Sequence, residues 1–545
     1  MGKRIMIWLM VMICWIPIPV NAEYDIPEYV KVGVRSGSNA VATVKLASGT
    51  GFDFGYLSEG NFISLYDLSH IQNLYARKDS YFIHLNDYFY EYNYNPHKDE
   101  NNSNITGPIH IQLGGSFSSK TDAVDFINSI EAFNLSPFLA LDGKWKVWLG
   151  FYTSYDQAEK RFDELKYILQ DIDLTVISKN SKRVQVLDEK GDILFIYNPS
   201  NGDYYFSPKD DALITMDNKE FRGSIMIKNA SNGNMTLINR LKMDKYLYGV
   251  LPKEMSYTAP IEALKAQSVA ARNYAVVNIN RHKNENFHVC ASTHCQVYGG
   301  YSVEKQSCIE AVDATSNMIL LHDGLPISTY YHSNSGGHTE NIENVWESAI
   351  PYLKGVKDPF SKDYLWEISY TPKELSDVLR IKGYNIGEIL DVYVGGISEF
   401  GSVQVLVVEG TEGTVALEKD NIRKILGYTT IKSLKFGIHK DNALCIENNL
   451  LKQNQKVENI SIINGDGEVR KLIAGESMMI TNGMEIGPFL EKHVTDAYYF
   501  KGNGYGHGIG MSQNGAIAMA NSGYTFEEIL KHYYTNVSLV EIVEN

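Results

Sequence analysis

Apolar and polar positions alternate along residues 23–95, as in "YVKVGVRSGSNAVATVKL", and turn residues interrupt the alternation. Successive side chains of a strand point to opposite faces, so this period of two predicts short antiparallel strands. The polar stretch "PHKDENNSNITG" that follows predicts a linker at residues 96–107. The pattern therefore predicts a strand-rich region that ends at a domain boundary.

The pattern changes after this linker. Residues 107–172 contain two similar stretches, "IQLGGSFSSKTDAVDFINSI" and "VWLGFYTSYDQAEKRFDEL", each with a strand, a glycine, an aromatic residue, a serine and a helical apolar spacing. Ser118 or Ser119 in the first and Ser154 in the second stand where a helix N-cap belongs. The repeat predicts a small α/β module. Strands return in residues 176–545, and a long helix is predicted near Pro260.

The N-terminus has the pattern of a secretory signal. Lys3 and Arg4 precede an apolar run, and the small residue Ala22 ends a stretch suited to signal peptidase, so residues 1–22 are predicted to be removed. The run is short for a membrane span, although an uncleaved anchor is the alternative. We therefore expect a secreted, extracytoplasmic protein.

Composition narrows the class of partner. The chain of 545 residues has a formal net charge of −15, which argues against nucleic acid as a partner because nucleic acid rewards basic surfaces. Cys290, Cys295, Cys308 and Cys445 follow the predicted signal, too few for a disulfide scaffold.

Glu254 is the first candidate for chemistry. It lies in the turn-like stretch "PKEMS", between Leu251 and Met255. A carboxyl group among apolar neighbours has a raised pKa and can serve as a general acid. The alternative is an ordinary surface glutamate, which is the commoner case.

Two family resemblances sharpen these expectations. Residues 107–172 resemble the SPOR domain, a module that binds peptidoglycan glycan strands stripped of stem peptides, and the resemblance includes Gln112. The matching positions are Gln112, Gly114, Phe117, Ser118, Ala123, Val147, Gly150 and Ala158.

The stretch "YLYGVLPKEMSYTAPIEALKAQSVAARNYA" resembles the opening of the SpoIID catalytic domain, with Ser268 and Asn273 as departures. The likeness continues through "CASTHCQVYGG", "YYHSNSGGHTENIENVW", "PYLKGVKDP" and "GYGHGIGMSQNGA". The resemblance implies an α+β catalytic domain and lytic transglycosylation, which cleaves between N-acetylmuramic acid and N-acetylglucosamine and leaves 1,6-anhydro ends. It assigns the general acid to Glu254 and suggests that Arg272 binds a substrate carboxylate or amide carbonyl.

The stretch "HKNENFHVCASTHCQ" suits a metal. Cys290, His294 and Cys295 with either His282 or His288 could complete a tetrahedral zinc site, and four protein ligands would make it structural. His282 better matches the spacing of the family. A Cys290–Cys295 disulfide is the competing interpretation.

Two further polar stretches, "YYHSNSGGHTENIENVW" and "GYGHGIGMSQNGA", are candidates for binding the sugar chain. Hydroxyl, amide and imidazole groups suit hydrogen bonding to N-acetyl sugars. A serine–histidine hydrolase is disfavoured because no nucleophile elbow accompanies the pattern. The predicted sugar-binding residues are His332, Ser333, Asn334 and His338 in the first loop, and Tyr505, His507 and Gln513 in the glycine-rich second loop.

The predicted function is therefore cleavage of denuded glycan strands during sporulation-related wall remodelling, with an N-acetylmuramoyl-L-alanine amidase as the expected partner. The alternative is a non-catalytic wall-binding protein that stimulates such an amidase.

Overall fold

The protein is described by a computed structural model that covers residues 26–85, 88–99, 102, 104–346, 348–440, 443–447, 452–456, 461–463, 467–471, 478–481, 486–490 and 497–542. The predicted signal peptide lies outside the described residues. Within the described part, no helix combines the length and the apolar character that crossing a bilayer requires.

The alternating N-terminal residues form strands, as their pattern predicts, and these strands pair with the part of the chain that follows the predicted module. Tyr29–Arg35 pairs antiparallel with Met235–Lys242 and parallel with Val289–Cys290. The first sheet thus joins segments more than 200 residues apart. Its order is Val289–Cys290, Tyr29–Arg35, Met235–Lys242, Ser224–Asn229, Tyr204–Pro208, Phe52–Ser58 and Asn61–Leu68.

A second sheet runs through the module predicted at residues 107–172. Its order is Leu174–Ile177, Ile109–Phe117, Lys144–Tyr152, Pro137–Asp142, Ile193–Tyr197, Val184–Asp188, Asn73–Lys78, Thr43–Ala47, Ile214–Met216 and Lys219–Phe221. Leu174–Ile177 follows directly after the module, and the next three strands lie within it. Pro137–Asp142 continues the sheet by pairing with Ile193–Tyr197. The module is therefore joined edge to edge with the strands that follow it.

Two helices cover one face of the module. Ser119 caps the first through a hydrogen bond from the Asp122 N–H, and Ser154 caps the second through one from the Gln157 N–H. Both N-cap predictions are confirmed. The opposite sheet face is filled by the protein itself: the side chains of His110 and Trp148 on that face are fully buried.

The rest of the chain is mixed, which confirms the predicted α+β class. The α-helices of the described residues are Pro96–Asp99, Lys120–Ser129, Tyr155–Ile168, Met243–Glu254, Ile261–Val277, Gln306–Asp313, Pro372–Ile381, Asn421–Leu426, Gln513–Asn521 and Phe526–Tyr533. The helix Ile261–Val277 is the central one, because small and apolar residues bury it on nearly every side.

Further short sheets are formed by the described residues, and the first of them packs against that helix. They comprise Met318–His322 with Leu325–Pro326 and Ser538–Glu541; Leu365–Tyr370 with Tyr498–Asn503 and Phe436–Lys440; Ile389–Ile397 with Val403–Gly410 and Gly413–Glu418; Phe82–Leu85 with Tyr88–Glu91 and Ile105–Thr106; and Tyr331–His332 with Met511–Ser512. Three hairpins lie between residues 443 and 490: Ala443–Glu447 with Lys452–Lys456, Ser461–Ile463 with Val469–Lys471, and Met478–Thr481 with Ile486–Leu490. The pairing of Tyr331–His332 with Met511–Ser512 is parallel and joins the two polar loops singled out from the sequence.

Candidate active site

Glu254 is the last residue of the helix Met243–Glu254, not part of a turn as its sequence suggested. Its partly buried carboxyl group accepts one hydrogen bond, 3.0 Å from the Val297 backbone nitrogen to Oε1. Burial raises the pKa of Glu254, and the bond from Val297 offsets only part of this effect. The negative end of the helix dipole also disfavours the ionised form. Glu254 therefore favours the protonated state that a general acid requires.

The carboxyl group of Glu254 faces a cavity of about 510 Å³. Glu254 is the only carboxylic acid among the described residues that line this cavity. Aromatic rings, one guanidinium and two imidazole groups supply much of the remaining wall. These other wall residues include Arg281, His294, Tyr330, Tyr331, Trp346 and His507.

The glycine-rich loop approaches this wall because its glycines permit conformations closed to other residues. A Cβ atom on Gly510 would lie 2.1 Å from the Tyr330 carbonyl oxygen, and one on Gly506 would lie 2.6 Å from the His332 Cβ. Every second residue here has positive φ, which glycine adopts at little cost. The angles are 94° at Gly504, 119° at Gly506, 81° at Gly508 and 68° at Gly510.

This winding presents His507 to the cavity. Its Nδ1 accepts a hydrogen bond from the Ile509 N–H at 3.0 Å, and its ring centroid lies 5.2 Å from that of Trp346. Burial, followed by the neighbouring His332, lowers the pKa of His507 well below its ordinary value. His507 is thus a neutral imidazole whose Nε2 carries the proton, which makes it a hydrogen-bond donor rather than a second acid.

His332 lies behind His507, with 5.5 Å between the ring centroids. Its Nδ1 bonds to the Ile509 carbonyl at 3.1 Å, and burial lowers the pKa of His332 to about 4. Nε2 of His332 is buried without a hydrogen-bond partner. His332 therefore supports the loop from the inside and does not line the cavity.

Gln513 touches Glu254 through the backbone. Its Nε2 donates to the Glu254 carbonyl oxygen at 2.8 Å, at the end of the helix Met243–Glu254. Helix C-termini leave carbonyl groups without intrahelical partners, and Gln513 satisfies this one. It holds the acid in place, whereas the sequence suggested contact with sugar.

Four other predicted sugar-binding residues build the loops and do not line the cavity. Ser333 accepts a backbone hydrogen bond from the Asn514 N–H at 3.0 Å. Asn334 and Tyr505 exchange two backbone hydrogen bonds of 2.9 Å, and the Asn334 side chain donates to the Lys362 carbonyl. The Tyr505 ring stacks on Tyr364, and the His338 ring stacks on Phe400.

Two predictions of substrate contact are corrected by position. Arg272 is fully buried and donates to Asp244 at 2.9 Å, so it holds the central helix to its neighbours and does not reach the cavity. Gln112 lies in the second sheet, where it accepts from the Trp148 indole at 3.4 Å and donates to the Gly114 carbonyl. Its sheet face is packed with the protein's own side chains, which leaves no open platform for a glycan strand.

The cluster predicted to bind metal is assembled. One ligand atom from each of His282, Cys290, His294 and Cys295 lies within 4.8 Å of all the others. Nε2 of His282 is 3.4 Å from the Cys295 sulfur, and Nδ1 of His294 is 3.6 Å from both sulfurs. Tetrahedral zinc, with Zn–S of about 2.3 Å and Zn–N of about 2.0 Å, separates nitrogen from sulfur by about 3.5 Å. The residues therefore fit zinc.

The surroundings of the cluster distinguish the alternatives. Nδ1 of His288 accepts from the Lys31 N–H at 3.1 Å, which ties it to the first sheet, so His282 is the fourth member. Nδ1 of His282 bonds to the Glu285 carboxylate at 2.8 Å, an arrangement that commonly orients metal-binding histidines. Cys290 and Cys295 are free thiols in this structure.

Sequence reasoning missed several cavity residues. Tyr330, Tyr331 and Trp346 lie in the stretch already singled out, but only its polar members were chosen. Tyr331 receives a hydrogen bond from Gln296 at 3.0 Å, and Gln296 in turn accepts one from the buried Tyr246. The aromatic residues at the two ends of that stretch were the available signal, because aromatic faces commonly line small-molecule sites.

The fold is strand-rich α+β, and one carboxyl group with a raised pKa lies among the described residues that line the cavity, next to the His/Cys cluster. Together these features define a candidate acid-catalysis site. Residues 231–322, which contain the acid and the cluster, match the SpoIID family model, described as stage II sporulation protein. An uncharacterised protein of Brachyspira hyodysenteriae is 32% identical over 330 residues, covering 60% of this chain and 74% of that protein. This chain belongs to the SpoIID family.

Two Bacillus subtilis proteins are also similar to this chain. Stage II sporulation protein D is 27% identical over 322 residues, covering 56% of this chain and 76% of that protein. The amidase enhancer is 30% identical over 302 residues, covering 54% of this chain but only 40% of that protein.

Proposed function

We propose that this protein is a peptidoglycan lytic transglycosylase that cleaves denuded glycan strands between N-acetylmuramic acid and N-acetylglucosamine. The observation that carries the proposal is the carboxyl group of Glu254, whose pKa is raised by burial, in a cavity lined by aromatic rings and hydrogen-bonding groups. Hydrolases of glycosidic bonds ordinarily need two carboxyl groups, one of them to activate water or attack the sugar. A transglycosylase needs only one.

The reaction uses this group twice. Glu254 gives its proton to the glycosidic oxygen as the bond from that oxygen to C1 of muramic acid breaks, and N-acetylglucosamine leaves with a free 4-hydroxyl. The 6-hydroxyl of the same muramic acid then bonds to C1 and returns its proton to the Glu254 carboxylate. The product is a 1,6-anhydro end, the acid is regenerated, and no water is consumed.

Two other glutamates, Glu340 and Glu262, are bound by structural partners. Glu340 is buried and accepts hydrogen bonds from the Asn341 N–H, the Asn344 amide and the Ser398 hydroxyl. Glu262 pairs with Lys265 at 2.8 Å and accepts from the Phe526 N–H. Both therefore have structural partners, which supports Glu254 as the acid.

The test is the Glu254→Gln variant incubated with denuded strands. Glutamine keeps the shape of the side chain but cannot protonate the leaving oxygen, so release of 1,6-anhydro ends should fall about 10²–10⁴-fold. Mass analysis in heavy-oxygen water measures the products. Glu367→Gln, which removes a half-exposed acid that pairs with Lys501, is the control and should cleave normally. Reducing ends that carry the heavy oxygen would identify a hydrolase instead.

The His/Cys cluster is proposed to hold one structural zinc ion, with His282, Cys290, His294 and Cys295 as ligands. The ion would fasten the loop that carries Val297, whose N–H bonds to Glu254. Because structural zinc contributes to folding, Cys290→Ser should lower both zinc content and stability. Metal analysis and thermal unfolding measure these effects. Cys308→Ala, a buried cysteine outside the cluster, should retain about one zinc per chain. A metal-free wild type with a Cys290–Cys295 disulfide would contradict the zinc site.

Secretion and an amidase partner complete the proposal. Denuded strands arise only when an amidase has removed stem peptides, so the enzyme would act on the wall after an N-acetylmuramoyl-L-alanine amidase.

The second candidate function is stimulation of that amidase, which the likeness to the amidase enhancer favours. To distinguish the two functions, the wild type and Glu254→Gln are each added to an amidase reaction, and the amidase rate and the anhydro products are measured. Equal stimulation by both proteins, with no anhydro product from either, would support the modifier.

A further inference from the structure

The guanidinium of Arg281 has no acidic partner among the described residues. It lines the cavity with Glu254, and its guanidinium contacts only neutral groups: Tyr274 Oη at 3.3 Å, Asn278 Oδ1 at 3.2 Å and His294 Nε2 at 3.4 Å. No ion pair joins it to a carboxylate within the described ranges. By contrast, Arg272 pairs with Asp244, and Arg222 pairs with Glu304.

This charge stands out in a chain whose formal net charge is −15. Arg281 is exposed and is the only Lys or Arg among the described cavity-lining residues. A planar guanidinium binds a carboxylate through two parallel hydrogen bonds, and its charge is permanent. The guanidinium of Arg281 is therefore suited to bind an anionic group of a ligand in the cavity.

We propose that Arg281 determines specificity by binding the lactyl carboxylate of the N-acetylmuramic acid residue whose C1 faces Glu254. This inference builds on the proposed function. The reacting C1 and the lactyl group belong to the same sugar, so the acid and the arginine must share one cavity, as Glu254 and Arg281 do. The proposed preference for denuded strands would then come from the interaction of Arg281 with the lactyl carboxylate.

The discrimination follows from the chemistry of the lactyl group. A stem peptide converts the carboxylate into a neutral amide, which offers one carbonyl oxygen and no charge. The denuded sugar offers two anionic oxygens, which match the fork of the guanidinium. The carboxylate adds an ion-pair attraction and a second acceptor oxygen, both of which the amide lacks, so Arg281 favours the denuded form.

Binding in a Glu254→Gln background tests this without turnover. The probes are a denuded muramic acid tetrasaccharide, the same tetrasaccharide with its carboxylates converted to methylamides, and chitotetraose, which lacks lactyl groups. Adding Arg281→Gln should weaken binding of the carboxylate form about 10- to 100-fold by calorimetry. Affinity for the methylamide and for chitotetraose should stay within about twofold, and Arg281→Lys should fall between the two.

Arg380→Gln, an exposed arginine paired with Asp377 outside the cavity, is the matched control and should bind all three probes normally. Zinc content should be equal in every variant, which excludes damage to the cluster next to Arg281. An unchanged affinity of Arg281→Gln for the carboxylate form, or an equal loss for chitotetraose, would overturn the proposal. A protein that shows this discrimination but releases no anhydro ends would refute the proposed activity and leave the role of Arg281 standing.

Discussion

Two buried carboxyl groups in this protein have pKa values shifted in opposite directions. Asp79 is fully buried at the end of the strand Asn73–Lys78, and Glu254 faces the cavity. Burial alone raises the pKa of both groups. For Asp79, His110, Arg183 and Gln185 outweigh burial and lower the pKa, whereas Glu254 receives only the Val297 N–H.

The difference shows that the hydrogen-bond partners of a buried carboxyl group decide whether it stabilises the fold or is suited to proton transfer. Asp79 accepts from Arg183 Nε at 2.7 Å, from Gln185 Nε2 at 2.7 Å and bonds to His110 Nε2 at 3.2 Å. A buried charge with this many partners fixes one arrangement of the chain. No described cation pairs with Glu254, so burial raises its pKa and the group holds its proton more tightly than an ordinary glutamate does.

The largest expected effect on stability comes from Asp79→Asn. Removing one partner of a buried ion pair leaves the other uncompensated, which typically costs about 3–5 kcal/mol of unfolding free energy. Arg183 would be left buried without its carboxylate. Urea denaturation at pH 7 measures the loss. Asp217→Asn is the control, because Asp217 forms a half-exposed pair with Arg35 and its loss should cost less than about 1 kcal/mol. Equal costs for the two variants would refute the structural role of the network.

The same network explains which parts of the fold local sequence could predict. The N-caps Ser119 and Ser154 and the strand alternation depend on neighbouring residues, so they were predicted from short stretches. The pairing of Tyr29–Arg35 with Met235–Lys242 depends on contacts across the insert, and no local pattern encodes it. The sugar-binding prediction for Gln112 failed for the same reason, since Arg183, which lies outside the predicted module, packs over Trp148 on that face.

The candidate site likewise contains residues that could be predicted from short stretches of sequence and residues that could not. The His/Cys cluster was predicted from its residue types and spacing, whereas the family resemblance supplied the choice of Glu254 as the acid. Arg272 and Arg281 could not be told apart, because the helix Ile261–Val277 is buried on nearly all sides and has no polar face to mark direction. Only the packing shows that Arg272 points to Asp244 while Arg281, beyond the helix end, lines the cavity.

The smallest expected effect is the change in the free energy of unfolding caused by Glu254→Gln. The sign of this change tests the contrast between Glu254 and Asp79. The pKa of Glu254 in the folded protein is raised above 4.5, so folding favours the protonated form. Its favourable contribution is complete below the unfolded pKa and is lost as the pH rises through the folded pKa. At pH 7 the wild type therefore bears the cost of a partly buried carboxylate, which glutamine removes.

We expect Glu254→Gln to match the wild type in stability at pH 4 and to exceed it at pH 7 by no more than about 2 kcal/mol, a gain typical of relieving a functional site. Asp79 predicts the reverse dependence: its contribution is present above the ordinary carboxyl pKa and is lost as the pH falls through the lowered folded pKa. Urea denaturation of wild type and both variants between pH 3 and pH 8 measures the two slopes. A Glu254→Gln variant less stable than wild type at pH 7 would mean that the carboxylate has a stabilising partner, and the contrast with Asp79 would then fail.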